Sequence, residues 1–392
     1  MKISNFDLRK DKGTIRTEAL ITWEESDRPP LTLFVQTVDT YQDLIWPDPN
    51  SFLIATLLAA WNAGERRIRV NECLCPALVN NLEGVFMMIK AWYPNDFGPK
   101  PLIEATKGTK ASLPIGKGAI SLMSGGIDSL CLLRANKLHY PDGHPSAIKS
   151  VLSVANIEHR AADENDIWKH FEGRMKALKP VALDAAVDVI PACTNVWWLN
   201  PDGYFYGQKS YSSLLSAISS MFGKGYHKGY IASSYDAAFS KKPWGSHPQL
   251  DAYYSSSHFN MENSGTEMTR FKKVELVADW PVAFHNMRVC QNDNSGSENC
   301  GTCEKCIRTL LMLEALGKLK ECKAFPRNYI DTELLNYLEE YDMLHSTDIQ
   351  HDAEKLYMYG MIIPYLERRR RHDLSEALKK ILEALNKREK TD

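Results

Sequence analysis

Long apolar runs are missing from this sequence. The longest, near "FLIATLLAAW", falls far short of the roughly 20 residues that a membrane-spanning helix needs. The opening "MKISNFDLRKDKG" carries no apolar stretch of the signal-peptide kind, so a soluble, cytoplasmic chain without membrane contact is expected. Charge of one sign is missing too. The 47 Lys and Arg against 49 Asp and Glu leave a formal net charge of -2. That removes any global pull toward nucleic acid and leaves only local basic surface. Internal repeats and low-complexity tracts are absent, which argues against a repeat architecture. Cysteine is present nine times, an odd number in a chain with no export signal, so metal ligands or buried thiols are expected rather than a disulfide framework.

What is there exceeds one small core: 392 residues, 44% of them hydrophobic. Residues 1–112 read as a small α+β accessory domain, with strands "GTIRTEALITW" and "PLTLFVQTV" across a turn at "SDRPP". A helix follows in "DPNSFLIATLLAAWNAG", capped near Asp48 or Asn50 and stopped at Gly64. Next come a short strand "RRIRVN" and a second helix "PALVNNLEGVFMMIKAWY". Cys73 and Cys75 read as core, because no second close pair accompanies them. The segment "GPKPLIEATKGTKASLPIGKG" reads as a linker. In 113–325 the apolar strands "AISLM", "SVLSVAN", "DAAVDVIP" and "GYIAS" alternate with helical segments. That alternation predicts an α/β fold, with a parallel sheet covered by helices on both faces. Residues 326–392 read as a helical extension.

The stretch "GAISLMSGGIDSLCLLRANKLH" breaks an apolar strand with two glycines before a helix begins. Glycines there let the backbone approach a ligand closely, and the first N–H groups of the helix then face an anion. The pattern is neither GxxxxGK[ST] nor GxGxxG. It places a carboxylate, Asp128, inside the phosphate cradle, where it could hold Mg²⁺. A second constellation, "RVCQNDNSGSENCGTCEKCIRT", spaces Cys290, Cys300, Cys303 and Cys306 as C-x9-C-x2-C-x2-C. Four thiolates close a tetrahedral site, so a structural Zn²⁺ is expected; an iron–sulfur cluster is the competing reading.

Ser124, Gly125, Gly126, Ile127, Asp128 and Ser129 spell S-G-G-x-D-S, which resembles the signature of the PP-loop ATP pyrophosphatases. The resemblance implies a PP-loop fold and ATP binding by these six residues. It also implies cleavage between the α and β phosphates, with a carboxylate activated as its adenylate. The downstream CGxCxxC pattern, with Lys273, Glu275 and Val277 as a K-x-E-x-V element, is similar to the 7-cyano-7-deazaguanine synthases. Members of that family adenylate a 7-deazaguanine carboxylate and pass the acyl group to ammonia. The likeness covers about residues 118–320. Arg308 sits one place early, "VANIEHR" keeps only His159 of a Y-G-Q-R-H-like element, and "KPWGSHPQLDAYYSS" offers Ser246, His247, Pro248 and Asp251 for another. The added regions resemble the enlarged synthase-like proteins of bacterial anti-phage operons. There the acceptor would be an amine of a partner protein, and a homodimer is a further expectation. Ordinary biosynthesis with ammonia, a tRNA-modifying or thiolating PP-loop enzyme and an inactive nucleotide-binding partner protein are the alternatives.

Asp128, Lys273 and His247 are the candidate catalytic residues. Ser233, Asp236, Asp251 and Arg270 are the candidates for substrate binding. Lys273 and Arg270 also fit a plain surface-helix reading, and His247 that of a structural loop histidine. Ser233 and Asp236 follow the strand "GYIAS" at the sheet edge where ligands collect in such folds. Gln208 and Ser210 fit either a helix cap or a substrate contact. Cys131 reads as core, and "LERRRRHD" as a solvated face or partner patch, with no interleaved aromatics to suggest nucleic acid.

Overall fold

The computed structural model describes residues 1–111, 113–155, 164–240, 242–290, 299–338 and 349–389; His159 lies outside them. Ten strands form one sheet: Lys2–Asp11 (β1), Thr14–Thr22 (β2), Leu31–Val38 (β3), Arg67–Val70 (β4), Leu102–Ala105 (β5), Ala119–Leu122 (β6), Ile148–Ala155 (β7), Asp188–Thr194 (β8), Lys228–Ala232 (β9) and Asn260–Ser264 (β10). Their order is β10-β9-β6-β7-β8-β3-β2-β1-β4-β5. The five strands from β10 to β8 are parallel neighbours, as the unalternating apolar runs predict. The fold is α/β.

Residues 1–105 do not build a sheet of their own. Antiparallel pairing of β3 with β8, through Val35–Thr194, Gln36–Cys193 and Thr37–Ala192, makes the first five strands an extension of the parallel set. Phe52 and Trp61, on the helix Pro49–Asn62, pack in one apolar cluster with Ile120, Leu152 and Ile231 of the parallel strands. Asp48 caps that helix by accepting from Asn50 N, and Gly64 follows its end at φ +79°. The opposite face of the sheet carries a second cluster. It joins Ile127 and Leu130 of the helix Ile127–His139, Leu310 of the helix Glu304–Leu316, and Tyr359 and Leu378 from the C-terminal helices.

The chain runs from β6 outward to β7 and β8, then crosses back to place β9 and β10 on the other side of β6. The carboxyl end of β6 is therefore a topological switch point, where the loops of an open α/β sheet diverge and leave a crevice. Among the described residues no helix is long and apolar enough to cross a membrane. Cys75 is buried, while Cys73 is partly exposed and donates to the Lys107 carbonyl. Arg368, Arg369 and Arg370 are exposed, as a solvated face requires, while Arg371 is partly buried. Arg371 pairs with Glu314 and Asp373, and Arg369 lies against Gly317 at the end of the helix Glu304–Leu316.

Candidate active site and metal centre

A cleft of 510 Å³ opens at that switch point. Leu122 and Met123 lead into it from β6, and Ser124, Gly126, Ile127, Asp128 and Ser129 line its floor. Gly125 holds the turn at φ +82°, and a Cβ there would press to 3.3 Å from Leu178 Cδ2. The left-handed backbone is what favours glycine here, since the Leu178 methyl could shift by a few tenths of an ångström. Ser124 Oγ accepts from Gly126 N at 3.2 Å, and Ser129 Oγ donates to Gly126 O at 3.0 Å, so the turn is fastened by its own hydroxyls.

Asp128 stands in the first turn of the helix Ile127–His139 and meets two cations from the helix Arg270–Ala278. Arg270 Nη1 donates to Oδ2, and Lys273 Nζ lies 3.6 Å from Oδ1. Burial pushes the Asp128 carboxyl up, but Arg270 and Lys273 outweigh it and hold the group below the usual carboxylate range. Lys273 is 1% exposed and also donates to the Ser233 carbonyl at 2.6 Å, which ties the end of β9 to the site. Among the described residues Asp128 Oδ1 accepts no hydrogen bond. One carboxylate oxygen with spare lone pairs fits a hard cation that takes its other ligands from phosphate oxygens and water.

Among the described residues, six cationic side chains line the cleft, Arg174, Arg270, Arg288, Lys305, Arg308 and Lys355, against the carboxylates of Asp128, Glu304 and Glu354. That excess of three positive charges suits a polyanionic ligand. Arg308 is fixed between Glu304 at 3.3 Å and Glu354 at 3.0 Å, and Glu354 also accepts from Tyr235 OH at 2.8 Å. Burial works to lower the Arg308 pKa, but the two carboxylates raise it further, so the guanidinium stays charged. Glu354, Lys355 and Met358 come from the helix Ile349–Gly360, so the C-terminal region supplies part of the wall. The lining also has an aliphatic and aromatic part, with Leu152, Tyr206, Tyr211, Leu215, Ile231 and Trp244.

The remaining predicted residues lie beside the cleft. Ser233 Oγ donates to Tyr235 O, and Asp236 accepts from Ala238 N, Phe239 N and Tyr357 OH, so both shape the loop after β9. His247 is buried, with Nδ1 accepting from Gln249 N at 3.2 Å and Nε2 3.0 Å from Ser240 O, and Trp92 packs edge-on against the ring. Asp251 accepts from Ser246 Oγ, His247 N and Asn263 Nδ2, and burial raises its pKa. These four side chains organise loops and do not line the cavity. Gln208 and Ser210 are buried in a π-helical turn. Burial pushes the Cys131 thiol up to about 12, as suits a core residue.

The four predicted cysteines come together. The sulfurs of Cys290, Cys300, Cys303 and Cys306 lie within 4.8 Å of one another, and the pairs 300–306 and 290–303 are 3.9 Å apart. A tetrahedron of sulfurs at the zinc–thiolate bond length has edges of about 3.8 Å. The set can therefore hold one metal ion such as zinc, whereas the cysteine sulfurs around a cluster of several irons stand farther apart. Gly301 turns the chain at φ +76°, and Cys300 Sγ accepts from Thr302 N and Cys303 N. Burial raises the Cys300 thiol, but those donors more than offset it, favouring the thiolate a metal needs.

Sequence reasoning missed the residue that joins the two motifs. Asn299 is buried, accepts from Val289 N and Cys290 N, and donates to Met287 O and Ala324 O. It thereby fixes both flanks of Arg288, whose own N–H donates to Gly125 O at 2.8 Å. The metal knuckle and the glycine turn are thus one hydrogen-bonded unit, with Cys290 and Arg288 both lining the cleft. A second tight approach lies at the aromatic part, where a Cβ on Gly245 would stand 2.4 Å from Gly207 O and 3.0 Å from Tyr211 Cβ. Gly245→Ala is expected to cost about 2 kcal/mol through backbone displacement, read as a lower denaturation midpoint. An unchanged midpoint would mean that this contact does not constrain the loop. No protein-family model, curated protein or solved structure matches the chain.

Proposed function

We propose that the chain is an ATP-dependent ligase of the PP-loop type that adenylates a 7-deazaguanine carboxylate and passes the acyl group to an amine of a partner protein, as in an anti-phage defence system. The observation that carries the reading is the strand–glycine turn–helix at Ser124–Ser129, with Asp128 between Arg270 and Lys273 in a cleft of net positive lining. The four-cysteine set, of which Cys290 lines the cleft, supports the deazaguanine branch through its resemblance to the CGxCxxC pattern of those synthases.

In this reading the triphosphate lies over the glycine turn, where the helix N-terminus, Arg270 and Arg288 face the β and γ phosphates and Lys273, buried behind Asp128 and outside the cavity lining, adds its charge from below. The substrate carboxylate oxygen attacks the α phosphorus, the bond to the bridging oxygen breaks, and pyrophosphate departs against those cations. The amine nitrogen then attacks the acyl carbon, AMP leaves, and the nitrogen loses a proton. Asp128 would hold a Mg²⁺, whose charge would offset that developing on the pyrophosphate. The four cysteines would hold Zn²⁺ in a closed, structural role. The aliphatic and aromatic part of the cleft accommodates a planar heterocycle.

The test is pyrophosphate release from ATP with and without 7-carboxy-7-deazaguanine, followed by intact-mass measurement of co-expressed candidate partners. Carboxylate-dependent release and a deazaguanine-sized adduct are expected. Release that yields only the free amide or nitrile would assign ordinary biosynthesis. No release with any carboxylate would overturn the enzyme reading.

A further inference from the structure

Residues Tyr206–Ser210 form a π-helical turn, a local insertion of the kind that re-aims side chains near functional sites. Tyr206, its first residue, and Tyr211, which follows it, meet edge to face at 5.5 Å and line the aromatic part of the cleft. Lys209 lies between them and does not line the cavity. It is 5% exposed, its Nζ sits 2.6 Å from Asp96 Oδ2, and the rings of Tyr93, Phe97, Tyr204 and Phe205 stand within 6 Å. Beside it, Tyr93 OH donates to the Gln208 carbonyl at 2.8 Å.

Tyr93, Asp96 and Phe97 belong to the segment that follows the helix Pro76–Trp92 in the N-terminal region. A desolvated ammonium held by a carboxylate and several ring faces cannot slip without losing all of them at once. The segment therefore grips the turn at Lys209 and at the Gln208 carbonyl. From the other side, Gly245 N donates to Gly207 O and Ser212 N donates to Gly245 O at 2.7 Å, which seats the neighbouring Trp244 in the cleft wall.

We infer that Lys209 is a positioning residue through which the segment Tyr93–Phe97 holds Tyr206 and Tyr211 against the ligand. It governs the binding of a planar heterocycle and not the chemical step at Asp128. The inference rests on the ligase reading only for its kinetic readout; the grip itself is tested without substrate.

The experiment compares wild type, Lys209→Ala and Asp96→Asn by hydrogen–deuterium exchange without ligand and by pyrophosphate release with ATP and 7-carboxy-7-deazaguanine. Lys209→Ala is expected to speed exchange about tenfold in peptides spanning 204–213 and 242–247, with the helix Ile127–His139 unchanged. KM for at least one of the two ligands should rise about tenfold while kcat stays within twofold. Asp96→Asn, which keeps the ring cage filled, should shift both readouts about threefold and decides the matter if Lys209→Ala does not fold. Wild-type exchange in these peptides, or a fall in kcat at constant KM, would overturn the inference. If wild type releases no pyrophosphate, the ligase reading falls and the exchange result alone decides the role of Lys209.

Discussion

Asp128→Ala is expected to slow pyrophosphate release at least about a thousandfold while leaving ATP binding intact or tighter. The two halves of that expectation have one cause. In the free protein Asp128 is paired with Arg270 and Lys273, so its removal leaves Arg270 unpaired on the cleft wall with the Lys273 charge behind it, and strengthens ground-state binding of the triphosphate. The same removal takes away the only carboxylate on the glycine turn, and with it the group placed to hold a dication at the departing phosphates. A large loss in kcat with no loss in affinity identifies an interaction made in the transition state. If nucleotide affinity and rate fell together in proportion, Asp128 would be acting as a structural counter-ion instead.

Stability supplies an independent check on the same residue. Lys273 is almost fully buried, and without Asp128 its ammonium keeps, among the described residues, the Ser233 carbonyl as its acceptor and faces the like charge of Arg270. The cost should be about 3 kcal/mol, the usual penalty for leaving one member of a buried ion pair behind. Asp128 has its pKa lowered in the folded chain, so its contribution is fully present above the ordinary carboxylate value of 3.8 and is lost as pH falls through the lower folded value. The difference in unfolding free energy between wild type and Asp128→Asn should therefore be constant near neutrality and shrink below about pH 4. Denaturant midpoints measured across that range give the result.

The parts legible in the sequence were those whose chemistry is local. The turn at Ser124–Ser129 is punctuated by glycines between an apolar strand and a helix, and the cysteine spacing fixes a knuckle whatever surrounds it. β1 was not legible, because Lys2–Asp11 carries charges on both sides of Ile3, Phe6 and Leu8 and breaks register between Ser4 and Asp7. β5 lies in a stretch whose Gly, Pro and Lys content reads as linker. The joining of the first five strands to the parallel set depends on β3 meeting β8 some 150 residues away, and strand patterning does not encode a partner. For the same reason Arg288 and Glu354 were invisible as site residues, and Arg308 was legible only as a pattern residue one place early, without its carboxylate partners. Each is an ordinary charged position until the fold brings the helix Ile349–Gly360 over the cleft. Asn299 was the most accessible of the omissions, since it immediately precedes the second cysteine, but a lone amide has no spacing rule to betray it.

Removing the metal should have the other large effect, and it should reach beyond the knuckle. Cys303 is the N-cap of the helix Glu304–Leu316, and Ile307, Leu310, Leu311 and Leu313 on that helix are fully buried in the second apolar cluster. Four thiolates within 4.8 Å repel one another once no cation sits among them, so the set must protonate or spread. A structural zinc contributes on the order of 10 kcal/mol to a small domain folded around it. Asn299 and the helix core would retain part of the fold here, so a loss of about 5 kcal/mol and a fall in Tm on the order of 10 °C are expected on chelation. The same loss should be felt at the glycine turn, because Arg288 reaches Gly125 O from the segment that Cys290 anchors. Hydrogen exchange at Gly125–Ser129 should then rise in step with metal release, and Cys306→Ser should reproduce both changes. Elemental analysis should find one metal ion per chain in wild type and less in the variant. A chelated protein that is metal-free yet melts at the wild-type temperature would reduce the four cysteines to packing residues. It would also remove the knuckle as support for the deazaguanine assignment, leaving the glycine turn to stand alone.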